Sequence, residues 1–455
     1  MTVQLDWPTI QPTIQPTIEN EAVRLLQALI RFDTTNPPGN ELPAAQFVAE
    51  ELRAAGYEPT LLESAAGRGN VIARLEGDGS ERPLLLFGHL DVVPAEPEHW
   101  THPPFESVVA DGFIWGRGAL DMKNIVAAQL ATMLALKRAS VRLKRDIIYA
   151  ATADEEAGGM MGIKWLLDNH ADLLDAEYAL SEFGGFSMEV SGQRFYLCQT
   201  GEKGIAWLKM RTAGRPGHGS MPHTDSAILR LSEAVAKLSR TPLPMHVSPT
   251  ARAMIESMAR AQSFPRSLAL RGMLSPTLSN QLLRLLPEEQ ANTFQATLRN
   301  TISVTGLEAG YKHNVIPSSA EANLDCRLIP GQTVEDVMRE IREIVGHESD
   351  IELEVVLGSP ATESRFDTPL FEAMARNLKR YDPEAVVAPM LLTGATDGRF
   401  LGARGVIYYG YCPIRLPAGL KFMQLIHGHD ERIPVDAFRE GVQVFAETVL
   451  DFCSR

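Results

Sequence analysis

Cysteine is scarce in this chain: Cys198, Cys326, Cys412 and Cys453 stand far apart among 455 residues, with no Cys-x-x-Cys pair. That usage excludes a zinc finger or a disulfide framework and reads as free thiols of a reducing compartment, with the cytoplasm as default. Apolar runs long enough to span a bilayer are missing, and the N-terminus lacks the basic-then-apolar pattern of a signal peptide. Positive charge is in deficit, 43 Lys and Arg against 57 Asp and Glu, which argues against nucleic acid as the partner. Gly116-Arg-Gly118 is only a fragment of Gly-x-Gly-x-x-Gly, and Gly-x-Ser-x-Gly does not occur at all. Dinucleotide-binding and serine-hydrolase readings therefore have no support. No repeat of solenoid period is visible either.

What the chain does have is length for two or three domains and a periodic apolar pattern. Pro8, Pro12 and Pro16 punctuate Pro-Thr-Ile repeats that forbid a helix, so residues 1–18 are expected to form an extended arm. Helical spacing over Glu19–Phe32 and Leu42–Ala55 alternates with strand-like runs at Asn70–Leu75 and Pro83–Phe87. A long helix over Ala119–Lys137, a strand over Asp146–Ala153, a helix over Gly162–Asn169 and a short strand at Tyr178–Leu180 continue the alternation. This is the pattern of an α/β domain with a mixed, mostly parallel sheet.

Near Gly201 the pattern changes. Strands at Ile205–Ala213, Asn300–Gly306, Glu321–Leu328 and Ile351–Leu357, with helices at Ser226–Leu238 and Val334–Val345, give a βαββαβ order. Residues 241–300 between them read as helical pieces broken by prolines. From about Ser359 the first pattern returns, with a helix over Pro369–Tyr381, a strand over Val406–Tyr409 and a helix over Val435–Phe452. The expected division is an N-terminal arm at 1–18, a catalytic domain at 19–201 and 359–455, and an inserted α+β domain at 202–358.

Chemistry-bearing residues recur at strand ends. The apolar run Leu84–Phe87 breaks at Gly88 and presents His89 and Asp91, an imidazole with a carboxylate two residues on. Such a pair describes a metal ligand with its orienting partner, and equally a packed loop-end histidine. Asp121 follows in Gly116-Arg-Gly-Ala-Leu-Asp-Met-Lys, read either as a first-turn helix acid or as a carboxylate bridging two metals. Asp154-Glu155-Glu156 lies between a buried strand and Gly158-Gly159. Like charges packed there raise one another's pKa unless a cation neutralises them, and adjacent glutamates suit a ligand beside a proton acceptor. Glu182 follows another short strand, and Ile426-His427-Gly-His429-Asp-Glu431-Arg432 supplies late histidines. Nitrogen and oxygen donors without thiolate suit Zn²⁺, with Co²⁺ or Mn²⁺ as substitutes.

In this order the motifs resemble those of the M20 metallopeptidases, over residues 20 to 452, most closely the branch of carboxypeptidase S and N-acyl-amino-acid hydrolases. The resemblance implies a zinc-exopeptidase-like α/β catalytic domain and an inserted dimerisation or lid domain, hence a homodimer. It implies two zinc ions per subunit held by His89, Asp121, Glu156, Glu182 and His427, with Asp121 bridging, Asp91 orienting His89 and His429 a bystander. Glu155 would be the general base. His218, in Gly-His-Gly-Ser, would reach the partner's site and support an oxyanion. Asn314, Arg327, Gly394 and Thr396 lie in segments that resemble substrate-binding ones. Ser181-Glu182-Phe-Gly-Gly departs from the commoner Asn-Glu-Gly-Gly. The implied activity is amide hydrolysis of a peptide's C-terminal residue or an N-acyl amino acid; a scaffold relative that has lost catalysis is the rival.

Overall fold

The computed structural model describes residues 17–346 and 350–454. Two compact units emerge, one from the described residues up to Thr200 with Ser364–Pro389 and Thr396 onward, the other from Gly201–Glu363 with Met390–Ala395.

In the first unit the strand Leu84–His89 is buried at every residue. Ile147–Thr152 flanks it on one side and Tyr178–Ser181 on the other, both parallel, and Ile407–Gly410 continues the parallel set beyond Tyr178–Ser181. Antiparallel strands finish the sheet: Gly69–Leu75 and then Thr60–Glu63 at one side, Gln193–Glu202 next to Ile407–Gly410 at the other. Strands covered on both faces read as continuous apolar runs, which is how Leu84–Phe87 and Ile147–Ala151 read. Leu84 and Leu86 pack with residues of the helices Ile18–Ile30, Lys123–Ala139 and Val435–Cys453, whereas Leu85 and Phe87 join Ile163, Leu166 and Leu401 on the opposite face. The layers are thus helix, sheet, helix.

Register then delivers the site. His89 stands beside Thr152 and Leu86 beside Leu180, so the parallel strands end at one rim. The segments that follow them carry Asp91, Glu155, Glu156 and Glu182. Open α/β sheets hold their ligands at this carboxyl edge.

Three expectations change. The helix expected from Ala119 begins at Lys123, so Asp121 precedes the helix. The hairpin Gly184–Val190 with Gln193–Glu202 and the strand Val386–Leu392 were not expected, because buried Gln199, Thr200 and Glu202 break the apolar pattern. Of the expected N-terminal arm, residues 1–16 lie outside the described residues, and Ile18 already opens a helix.

In the second unit the strand and helix order is Gly204–Ala213, Ala227–Arg240, Thr301–Ala309, Ser319–Leu328, Val334–Val345 and Ile351–Ser359. The four strands pair antiparallel in the order Thr301–Ala309, Ser319–Leu328, Gly204–Ala213, Ile351–Ser359. Along Ser319–Leu328 every second residue, from Ala320 to Leu328, turns into a core shared with Leu231, Val337 and Ile341 of the covering helices. Helices Pro249–Arg260, Arg266–Gly272, Ser279–Leu283 and Glu288–Leu298 occupy the stretch before Thr301. Ser248 caps the first of them by accepting the Ala251 amide, with Pro249 at its first position.

Gly410 ends its strand against backbone: a Cβ there would lie 1.9 Å from the Phe183 carbonyl oxygen and 2.1 Å from that of Glu182. Gly410→Ala is expected to destabilise the fold by about 1–3 kcal/mol in chemical denaturation, the usual range for overpacking. Wild-type stability would show that the Glu182 turn yields freely.

Candidate metal centre

Asp121 is the hub of the rim. Its Oδ1 lies 3.2 Å from His89 Nε2 and its Oδ2 3.2 Å from His427 Nε2, so each oxygen faces a different imidazole. On the His89 side, Glu182 Oε2 is 3.6 Å and Glu155 Oε2 4.0 Å from the same nitrogen. On the His427 side, Glu156 Oε2 is 3.2 Å from Nε2. Donor atoms of His89, Asp121 and Glu156 fall within 4.8 Å of one another, as do those of His89, Glu155 and Glu182. Thus all five expected ligands and Glu155 converge.

The turn that presents Asp121 is braced by a residue that the sequence reading passed over. Glu431 accepts the amides of Leu120 at 2.6 Å, Gly118 at 3.1 Å and Asp121 at 3.2 Å, and pairs with buried Arg117 at 2.8 Å. It stood in plain view four residues after His427, but nothing in the sequence says that a carboxylate there caps a turn three hundred residues away.

Asp91 does more than expected. His89 Nδ1 lies 2.9 Å from the Asp91 backbone carbonyl, with the Asp91 carboxylate further off at 3.5 Å. That carboxylate accepts the amides of Glu155 and Glu156, both at 3.1 Å, and the Asn36 side chain at 2.8 Å. It therefore aims the glutamate loop as well as neighbouring the histidine. Behind it, Asp154 accepts Arg68 at 2.8 Å, Asn36 at 3.2 Å and the Met161 amide at 2.9 Å, and Arg68 also bonds buried Glu41. Asp154 itself sits at φ 75°, a left-handed conformation that Asp tolerates better than most residues.

Asp397 is a further omission. Both its carboxylate oxygens are buried without a hydrogen-bond partner among the described residues, and Oδ1 lies 2.0 Å from where a Cβ of Gly159 would stand. Arg399 pins the same loop by donating to the Gly158 carbonyl at 2.8 Å. Thr396, expected to meet substrate, is 1 % exposed, and its hydroxyl accepts the Gly398 amide at 3.1 Å and meets the Tyr408 hydroxyl at 3.2 Å. Its side chain caps a turn. His429 turns away to Glu96 at 2.9 Å, as befits a bystander.

The remaining expected residues belong to the second unit. His218 and Asn314 sit side by side, the Gly219 amide donating to the Asn314 carbonyl at 2.9 Å. Ser220 donates its amide to His218 Nδ1 at 3.2 Å, making Nδ1 an acceptor and leaving the ring proton on Nε2. Arg327 is already engaged bidentately by Asp325, at 2.7 and 3.1 Å, so its guanidinium does not stand free for a ligand. Gly394 has open space, with only the Leu392 side chain 3.9 Å from a Cβ built there.

Without a cation, the rim holds protons. Burial, then Asp121, raises Glu182 to about 8. Burial, then Glu182, drives Glu155 well upward, and burial raises Asp397 to about 7 and Glu156 above the usual carboxylate range. His427 is raised to about 10 by its hydrogen bonds to Asp121 and Glu156. For His89, burial opposes the charge, yet Glu182 and Asp121 raise it well above an ordinary imidazole. Glu156 Oε1 is buried with no hydrogen-bond partner among the described residues. Hard oxygen and imidazole donors converging with an orphaned carboxylate oxygen fit divalent cations in place of those protons.

Fold and donor set together define a metal-dependent amidohydrolase. Comparison with known proteins agrees: the description "Peptidase family M20/M25/M40" matches residues 85–451, and the chain belongs to that family. It is similar to N-fatty-acyl-amino acid synthase/hydrolase PM20D1 of Homo sapiens, 31% identical over 82% of this chain and 74% of the relative. It is similar also to probable carboxypeptidase S-like 2 of Dictyostelium discoideum, 30% identical over 81% of this chain and 71% of the relative. Aminoacylase-1 of Homo sapiens is 28% identical over 94% of each. Among solved structures, the M20 family metallo-carboxypeptidase Sso-CP2 from Sulfolobus solfataricus shares the fold with TM-score 0.67, at 20% identity over 95% of this chain and 99% of that one. The Bacillus subtilis YXEP protein, described as a dinuclear metal binding peptidase, does so with TM-score 0.61, at 14% identity over 95% and 98%.

Two outcomes follow from this geometry. Glu431→Gln is expected to weaken metal retention roughly 10- to 100-fold, as loss of a ligand-orienting partner does, read by competition with a chromogenic chelator. Unchanged retention would remove Glu431 from that role. Stability of the metal-stripped protein should fall as pH rises from about 5 to 7. Glu182 and Asp397, raised to about 8 and about 7, keep protons in the folded state across that window that the unfolded chain releases. Lys123, lowered by burial to about 7, is charged in both states below that pH and does not offset the trend there. Metal should flatten the slope; a rise of Tm with pH in stripped protein would contradict the protonated rim.

Proposed function

We propose that this chain hydrolyses the amide bond of an N-acyl amino acid or of a peptide's C-terminal residue, using two divalent cations and Glu155 as general base. The observation that carries this reading is the division of Asp121, one oxygen toward His89 and the other toward His427. Glu182 and His89 form one donor set, Glu156 and His427 the other, and Asp121 is common to both. The imidazole and carboxylate donors favour Zn²⁺. Bound there, the cations would lower the pKa of a water and polarise the scissile carbonyl.

The protein's own groups supply the rest. Glu155, held by the Asp91 carboxylate through its amide at 3.1 Å, is aimed at the rim without being tied down by a side-chain bond of its own. It takes the proton of the attacking water and returns it to the leaving amine. His218, with its proton on Nε2, donates to the tetrahedral oxyanion. Asn314 and Gly394 border the substrate, and Arg327 meets its carboxylate only by exchanging Asp325 for it. Acyl amino acids are favoured by the similarity to relatives named N-fatty-acyl-amino acid synthase/hydrolase and aminoacylase. Four buried, free cysteines support a reducing compartment, the cytoplasm. Among the described residues no helix is long and apolar enough to cross a membrane.

A homodimer is part of the reading. The second unit's sheet carries exposed Leu307, Val356, Leu357 and Trp207, apolar area that a second copy would cover.

Glu155→Gln is expected to keep fold and metal while losing roughly two to four orders of magnitude in kcat on N-acyl amino acids. Near-normal turnover would remove Glu155 from the role. Mixing inactive Glu155→Gln with inactive His218→Ala subunits is expected to restore part of the activity once exchange is confirmed by native mass spectrometry. Exchange without recovery would place His218 outside the partner's reaction.

A further inference from the structure

The second unit holds a groove of about 600 Å³ between the end of the helix Ala227–Arg240 and the helices Ser279–Leu283 and Glu288–Leu298. That size falls within the ~300–1,000 Å³ of small-molecule sites. Its lining mixes aliphatic side chains, Leu243, Leu283, Leu286 and Ile302 among them, with polar and charged ones, and includes no aromatic ring. Arg299 lines it as well, 5 % exposed.

Arg299 is a buried cation whose guanidinium is held by neutral oxygens, the Leu243 carbonyl and Asn280 Oδ1, the latter at 2.7 Å, and whose Nε has no hydrogen-bond partner among the described residues. No carboxylate approaches within 4 Å among the described residues. Buried Arg117 pairs with Glu431 and buried Arg68 with Glu41, whereas Arg399, like Arg299, donates to carbonyl oxygens. Buried charges are normally paired, and burial here lowers the guanidinium's proton affinity with no acidic neighbour to restore it. Arg240 and Arg284 add two more cations to the lining, against the single carboxylate of Glu288. A slot that sets aliphatic patches beside excess positive charge, including a desolvated guanidinium, matches an anion with an alkyl chain.

We propose that this groove is a binding site for an amphipathic carboxylate, with the alkyl chain against Leu243, Leu283 and Leu286 and the carboxylate at Arg299. A free fatty acid and an N-fatty-acyl amino acid share that chemistry. The site lies wholly within the second unit and is defined without reference to the metal centre. Guanidinium–carboxylate pairing supplies the head-group recognition and burial of methylenes the rest.

The test is calorimetric titration of the metal-loaded Glu155→Gln chain, so that binding is read whether or not the wild type hydrolyses amides. Three probes of equal chain length are compared: dodecanoate, N-dodecanoylglycine and neutral dodecanol. One carboxylate probe at least is expected to bind saturably, at least tenfold tighter than dodecanol. Arg299→Met should weaken that binding at least tenfold and Arg299→Lys less. Ala291→Trp, which fills the groove with Arg299 left in place, should abolish it even if Arg299→Met fails to fold. Preference for dodecanoate identifies a fatty-acid site, and preference for N-dodecanoylglycine a site for acyl amino acids; both uphold the groove. No binding, binding of dodecanol equal to that of the carboxylates, or titrations that Ala291→Trp leaves unchanged would overturn it.

Discussion

Negative charge gathered where water is scarce is the constraint on which this structure turns. Asp121, Glu155, Glu156, Glu182 and Asp397 crowd the carboxyl rim of the first unit's sheet, all largely shielded from solvent, with two imidazoles interleaved. In isolation Glu155, Glu156, Glu182 and Asp397 hold their protons to higher pH than carboxylates in water, while the His427 and His89 imidazoles keep Asp121 ionised against its burial. Divalent cations resolve the conflict by neutralising the charge at its source, which converts a destabilising arrangement into a binding one. That exchange couples folding of the rim to metal and to pH.

Around the rim the fold spends further buried polar groups to keep the donors in place. Glu431 gathers the amides of Gly118, Leu120 and Asp121, Asp91 gathers those of Glu155 and Glu156, and Arg68 ties Asp154 to Glu41. None of these groups needs to touch a substrate. Each fixes a backbone segment whose side chains would otherwise point anywhere, so the geometry at Asp121 depends on residues from both ends of the chain.

Much of this was legible in the sequence, and for an identifiable reason. Buried parallel strands must be apolar throughout, so Leu84–Phe87 and Ile147–Ala151 announce themselves, and polar residues just past them fall at the rim. His89, Glu156 and Glu182 stood out that way, and the resemblance of the ordered motifs to the M20 family added Asp121 and His427 to the expected ligand set. Partners were not legible. Glu431 and Asp397 are carboxylates whose surroundings are made by contacts across hundreds of residues. The Thr396 hydroxyl accepts the Gly398 amide, and Arg327 is held by Asp325 two residues earlier on its own strand. Spacing along the chain locates a strand end; it does not say what a side chain there will bond. The buried polar hairpin around Gln199 was missed because its burial defies the apolar pattern.

The central claim, that one carboxylate serves two cations, is tested most directly by anomalous scattering from crystals of the zinc-loaded chain. The account predicts two peaks of similar height flanking Asp121, one beside His89 and Glu182 and the other beside His427 and Glu156. A single peak, or peaks that leave either oxygen of Asp121 unbound, would contradict it.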